Sequence, residues 1–218
     1  MKGLFIFLMA LFSLTLYAAE CSQFGKSAVS QGWSKEIRRV CLTDAVTANF
    51  FRSPDRRKLI VADLKGFHLK INGTQIEWPE GEQFVTRGSE VAWSPTSTAF
   101  FINYGDGSGL DGWTLNVYAL SGMRVISHNE INRQIVRRFR ADVGCLQQAV
   151  DPNVHGLGWS HDGVTIFAFA QTTVNYSCGA QGDFRGVVIR FSEDAIQSFY
   201  SEPETKRRFH YRLPYNMR

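Results

Sequence analysis

Arg52-Ser53-Pro54-Asp55, Trp93-Ser94-Pro95-Thr96 and Trp159-Ser160-His161-Asp162-Gly163 are one phrase written three times. Each is followed within a few residues by an apolar run and then by a second one. The phrase is turn chemistry: the serine hydroxyl can join a turn hydrogen bond, proline presets φ, and Asp-Gly tolerates the positive φ of a tight hairpin. The key serines are 41 residues apart from Ser53 to Ser94 and 66 apart from Ser94 to Ser160. The first interval suits a repeat of one supersecondary unit, and the second carries roughly 25 residues of insertion.

The first phrase continues with Leu59-Ile60-Val61-Ala62, Phe67-His68-Leu69-Lys70-Ile71, the turn Asn72-Gly73 and Gln75-Ile76-Glu77-Trp78. The second gives Ala99-Phe100-Phe101-Ile102, Trp113 to Tyr118, the turn Ser121-Gly122 and Arg124-Val125-Ile126. The third gives Val164 to Phe169, Gly186 to Phe191, the polar Ser192-Glu193-Asp194 and Ile196 to Tyr200. With the short segment leading into each serine, every unit holds four candidate strands, A to D, bounded by turn residues. Four antiparallel strands per unit make a propeller blade. The expected fold class is therefore all-β, with three four-stranded propeller-like blades over about 46–78, 90–126 and 155–200, and one helical insertion over 127–154. In the insertion, Ser127-His128-Asn129-Glu130 has the form of a capping box, and Ile131, Ile135 and Phe139 recur at spacing four. Arg133, Arg137, Arg138 and Arg140 fill much of the remaining helix surface, which faces solvent or a partner.

The units resemble the repeat of TolB-type β-propellers, whose blades carry a similar Trp-Ser-Pro-Asp-Gly phrase ahead of an apolar strand. The resemblance spans about 155 residues, and the third unit alone keeps both Asp and Gly. It implies a fold and no activity, since propellers host many unrelated functions. Closed propellers have about four to eight blades, so three units imply either end faces capped within one chain or two chains pairing with two-fold symmetry. The segments before Val46 and after Tyr200 are the candidate caps. In the basic-aromatic tail 201–218, Phe209, Tyr211 and Leu213 alternate with polar residues as a closing or edge strand would; contact with anionic lipid or polysaccharide is the other reading.

Met1-Lys2, the uncharged apolar stretch Gly3 to Leu16 and Tyr17-Ala18-Ala19-Glu20 read as a secretory signal peptide over 1–19, which predicts an exported, periplasmic or extracellular domain over 20–218. The stretch is short for a membrane span. Four cysteines remain, and an even count in an exported chain predicts two disulfides. Blade topology puts the B–C and D–A connections at one end, which favours Cys145 with Cys178 and leaves Cys21 for Cys41. The Cys-x2-Cys spacing of a zinc site is missing.

The same topology brings the long connections to one face, and functional residues concentrate on loops held by a rigid scaffold. The candidate binding residues there are Asp106, Asp111, Trp113, Arg137, Arg138, Asn175, Tyr176 and Asp183. Gly105 to Gly112 is oxygen-rich enough to suggest calcium, yet lacks the EF-hand's acidic spacing and terminal Glu, and a flexible glycine hairpin is the better explanation. Gly158-Trp159-Ser160-His161-Asp162 is not a nucleophile elbow, because Asp162 stands where the motif needs glycine. The net charge of +4 is too slight for a nucleic-acid binder. The expected function is a non-enzymatic binding or scaffolding module for a protein or glycan; the alternative is a hydrolase or lyase using Asp106, Asp111 or His161.

Overall fold

The computed structural model describes residues 37–79, 86–105, 112–144, 151–172 and 182–213. It is all-β in character, with three antiparallel sheets. The first holds β2 (Ala48–Arg52), β3 (Lys58–Asp63), β4 (Gly66–Ile71) and β5 (Thr74–Ile76) in sequential order. The second adds β1 (Arg38–Arg39) to β6 (Glu90–Trp93), β7 (Ala99–Tyr104), β8 (Thr114–Ser121) and β9 (Arg124–Ser127). The third runs β10 (Asn153–Trp159), β11 (Thr165–Gln171), β12 (Phe184–Arg190) and β13 (Ala195–Tyr200).

The repeated phrase forms the same turn three times. Ser53, Ser94 and Ser160 each accept a backbone bond through Oγ, from Lys58, Ala99 and Thr165, at 3.0, 3.1 and 2.9 Å. Their hydroxyls meet Asp55, Thr96 and Asp162 at 2.6, 3.1 and 2.5 Å. The fourth position is left-handed each time, with φ of 63° at Arg56, 61° at Ser97 and 73° at Gly163. Glycine is thus the unstrained choice in the third unit, and the other two bear a side chain there at some cost.

Both faces of the second sheet are covered, which is why β6 after Glu90 and β7 as far as Ile102 read as unbroken apolar runs. Toward the first sheet, Trp93, Phe100 and Tyr118 pack on Phe51, Ile60 and Leu69. Toward the third, Phe101, Leu115 and Val117 pack on Trp159, Ile166 and Val187. In the second and third units the tryptophan of the phrase also reaches back to the preceding unit: Trp93 Nε1 donates to the Phe51 carbonyl at 2.9 Å and Trp159 Nε1 to the Ala92 carbonyl at 3.3 Å. Of the large apolar residues on the repeat strands, Trp93, Phe101, Leu115, Val117, Trp159, Ile166 and Phe169 are buried, and Phe167 and Val188 are half-buried.

The insertion is helical over α1 (Glu130–Asp142), and Ile131, Ile135, Val136 and Phe139 join the core between the second and third sheets. The helix starts later than a capping box led by Ser127 would place it. Ser127 ends β9, and Asn129 is the N-cap without a side-chain cap bond. Its Oδ1 instead accepts the Val117 N–H at 3.2 Å, and Asn132 Oδ1 accepts that of Leu115 at 3.1 Å. These asparagines satisfy the edge of β8 beyond the short β9.

The tail departs from expectation. It is a helix, α2 (Glu202–Phe209), with Ser201 as N-cap, a proline in the first turn, acids at its start and bases at its end. Thr205, Phe209 and Leu213 are buried while Tyr211 is 88% exposed, so the working period is four, not two. α2 seals the outer face of the third sheet: the Gly186 N–H donates to Thr205 Oγ1 at 2.7 Å, and a Cβ at Gly186 would sit 2.6 Å from that oxygen. The described part of the amino-terminal segment does not cap an outer face. It lies between sheets, with Ile37 in the second–third core and Val40 and Leu42 in the first–second core.

Candidate functional site

The end of the second and third sheets that bears the long connections is floored by a buried polar network. β1 pairs with β6 so that Arg39 lies opposite Glu90, and Asn103 on β7 lies opposite Glu90 from the other side. The Arg39 guanidinium stands 3.4 Å from Glu90 Oε1, and Asn103 Nδ2 donates to Glu90 Oε2 at 3.1 Å. Glu90 is fully buried, and a buried carboxylate persists only when paired and hydrogen-bonded. Asn103 then bridges to the third sheet as a strand would. Its Nδ2 donates to the Gly156 carbonyl at 2.9 Å, and its Oδ1 accepts the Gly156 N–H at 2.7 Å. The approach requires glycine, since a Cβ at Gly156 would lie 2.7 Å from the Phe101 ring.

His155 sits beside this bridge, between the rings of Trp113 (centroids 4.4 Å apart) and Phe169 (5.3 Å). Burial, with the Arg39 charge adding to it, pushes its pKa down to about 3, so the imidazole is neutral at any physiological pH. Trp113 is fixed through its backbone: its N–H donates to Asn153 Oδ1 at 3.0 Å, and its carbonyl accepts the Val154 N–H at 2.9 Å. Gly105 lies under the Trp113 ring, which a Cβ there would meet at 3.0 Å. The second and third sheets are therefore locked together at this end by side chains aimed at backbone.

Of the residues singled out from sequence, Trp113 and Asp183 lie at this end. The Asp183 carbonyl accepts the Thr172 N–H at 2.9 Å, closing the base of the β11–β12 connection. Arg137 and Arg138 belong to the outer flank. Arg137 reaches Glu130 at 2.6 Å, and the Arg138 guanidinium lies 5.8 Å over the Phe199 ring on the outermost strand of the third sheet. Asp106, Asp111, Asn175 and Tyr176 lie outside the described residues, as do Cys21, Cys145 and Cys178. Cys41 carries no free thiol, and its N–H donates to Asn49 Oδ1 at 2.5 Å. Most of the loop considered for calcium is likewise outside them, and among the described residues no three acidic, histidine or cysteine side chains gather as metal ligands. No helix among the described residues is long and apolar enough to cross a membrane.

Sequence reasoning missed Arg39, Glu90, Asn103 and His155. One signal was available: Glu90 opens the strand Glu90-Val91-Ala92-Trp93, and a charge at a strand position surrounded by core residues calls for a buried partner. Chemically the network offers a rigid polar floor with a neutral imidazole and an aromatic wall; its charges are paired, and it contains no activated nucleophile. Compared with family models, with curated proteins and with solved structures, the chain finds no match in any of the three.

Proposed function

We propose that this protein is an exported binding or scaffolding module, built of three TolB-like propeller blades, that presents its long-connection end to a protein or glycan. The observation that carries the reading is the floor itself: Arg39–Glu90–Asn103–Gly156 and Trp113–His155–Phe169 hold the bases of the β7–β8, β11–β12 and α1–β10 connections in fixed relation. Variable loops on a rigid base are the arrangement recognition surfaces use. The disulfides Cys145–Cys178 and Cys21–Cys41 are part of this proposal, tying those loops and the amino-terminal segment to the base.

A hydrolase that combines His161 with the acidic loop finds no support in the topology. His161 lies in the turn before β11, and the 105–113 connection follows β7, so the two occupy opposite ends of their strands. The test is to screen the purified mature chain against arrayed cell-envelope polysaccharides and proteins, then map any ligand by amide hydrogen exchange. Protection concentrated at 105–113 and 172–183, with affinity lowered roughly tenfold by Trp113→Ala, is the expected result. Protection confined to the serine turns would overturn it.

A further inference from the structure

The position of Arg52 in the repeat carries an inference about the opposite flank of the molecule. The second unit turns Val91, Trp93, Phe100 and Ile102 toward the sheet that precedes it. At the matching positions, 41 residues earlier, the first unit has Phe50, Arg52, Leu59 and Val61. The register puts these four on one face, Phe50 opposite Val61 and Arg52 opposite Leu59, with His68 and Lys70 beside them on β4. This is the face that in the second and third units meets a preceding sheet, and among the described residues no sheet precedes here. Phe50 is 62% exposed, and Leu64 at the rim is 78% exposed.

The charges on this face are lopsided. Arg52 and Lys70 have no carboxylate partner among the described residues, Arg56 and Arg57 stand exposed on the adjoining turn, and the acid on these strands, Asp63, is taken up by His68 at 3.3 Å. A second copy meeting through the same face would set one net-positive surface against another. A head-to-tail stack finds no open sheet at the far end, where α2 already covers the third sheet. α2 also shows what size of element closes such a face: eight residues seat Thr205 and Phe209 against the third sheet.

We propose that the outer face of the first sheet docks an acidic amphipathic helix of a partner protein. Its apolar ridge packs on Phe50 and the half-buried Leu59, with Leu64 at the rim, and flanking carboxylates pair with Arg52 and Lys70. The probe is a labelled synthetic helix of roughly 18 residues, leucine on one face with glutamate flanking it, together with a lysine-flanked counterpart, titrated by fluorescence anisotropy into the full mature chain. The glutamate helix is expected to bind and the lysine helix not. Arg52→Glu with Lys70→Glu should weaken the first at least roughly tenfold and admit the second, and Phe50→Ser should weaken both pairings while the far-ultraviolet circular dichroism stays unchanged. Failure of the glutamate helix to bind, or binding indifferent to charge reversal, overturns the proposal. So does binding to phosphatidylglycerol-containing vesicles in place of the peptide, which assigns the face to lipid, or a dimer in light scattering that Phe50→Ser dissolves, which assigns it to a second copy.

Discussion

At one end of the three sheets the chain repeats itself, and at the other no two units agree. The serine turns share a set of bonds down to the left-handed fourth residue, and even the support from behind recurs: the carbonyls of Arg57, Thr98 and Val164 accept from Asn72, Leu120 and Phe191 at 2.9, 2.8 and 3.0 Å. At the long-connection end the first unit closes with the short turn between Asp63 and Gly66, the second rests on Asn103 and Trp113, and the third on His155 and Thr172. The side-chain bonds of the repeated turns span two to five residues, whereas Asn103 with Gly156 and Trp113 with Asn153 join residues 53 and 40 apart. Repetition therefore builds the scaffold, including the tryptophan bond at each junction, and the bonds that lock the long-connection end are particular to the junction they hold.

The largest effect should come from breaking the equivalence of one repeat position. Trp159 is 1% exposed, stacks on Phe101, meets Phe191 edge-on and donates to Ala92. Trp159→Ala should cost about 3–5 kcal/mol, the range for truncating a large buried aromatic. Arg52 holds the same position in the first unit and is exposed, so Arg52→Ala should stay within about 0.5 kcal/mol. Urea unfolding of both variants checks the contrast, and equal losses would mean the first sheet's outer face is not the open end of the stack.

That contrast also explains what the sequence disclosed. The three turns were legible because Ser-Pro-Asp and Asp-Gly dictate geometry locally, and α1 was legible from Ile131, Ile135 and Phe139. The tail misled because Phe209, Tyr211 and Leu213 alternate while the spacing that decides the packing is Thr205, Phe209, Leu213; the signal was Ser201-Glu202-Pro203-Glu204, a helix start. β1 and the Arg39–Glu90 pair were not legible, since two residues have no period and their partner lies 51 residues away. The same holds for Asn103 with Gly156.

A smaller effect, particular to the long-connection end, is acid sensitivity through His155. Its pKa falls from an ordinary 6.5 to about 3 on folding, so the unfolded chain binds the proton more readily. The stability it contributes is complete above pH 6.5 and is lost as the pH falls toward 3, at about 1.4 kcal/mol per unit within that window. Between pH 6 and 4 the natural protein should therefore lose stability more steeply than His155→Gln, whose profile keeps the carboxylate contributions alone. Parallel profiles, measured by denaturant unfolding at each pH, would show that His155 is hydrated in the native state.

The smallest effect tests the repeated end. Ser94 is fully buried and its hydroxyl faces the neutral Thr96, whereas Ser53 and Ser160 face the exposed carboxylates of Asp55 and Asp162. Both carboxyls are held below their usual range, Asp55 foremost by the Lys58 ammonium and then the Ser53 hydroxyl, and Asp162 foremost by the Ser160 hydroxyl. Solvent screens such exposed charges, so the constant part of each turn should dominate: the bond from the following strand's N–H to the serine oxygen. Ser94→Ala should cost about 1 kcal/mol, the net worth of a neutral hydrogen bond, and Ser53→Ala and Ser160→Ala should match it within the error of thermal unfolding at neutral pH. Should the two aspartate-facing serines cost twice as much, the carboxylate is an energetic member of the turn, and the Thr96 of the second unit is its weak point.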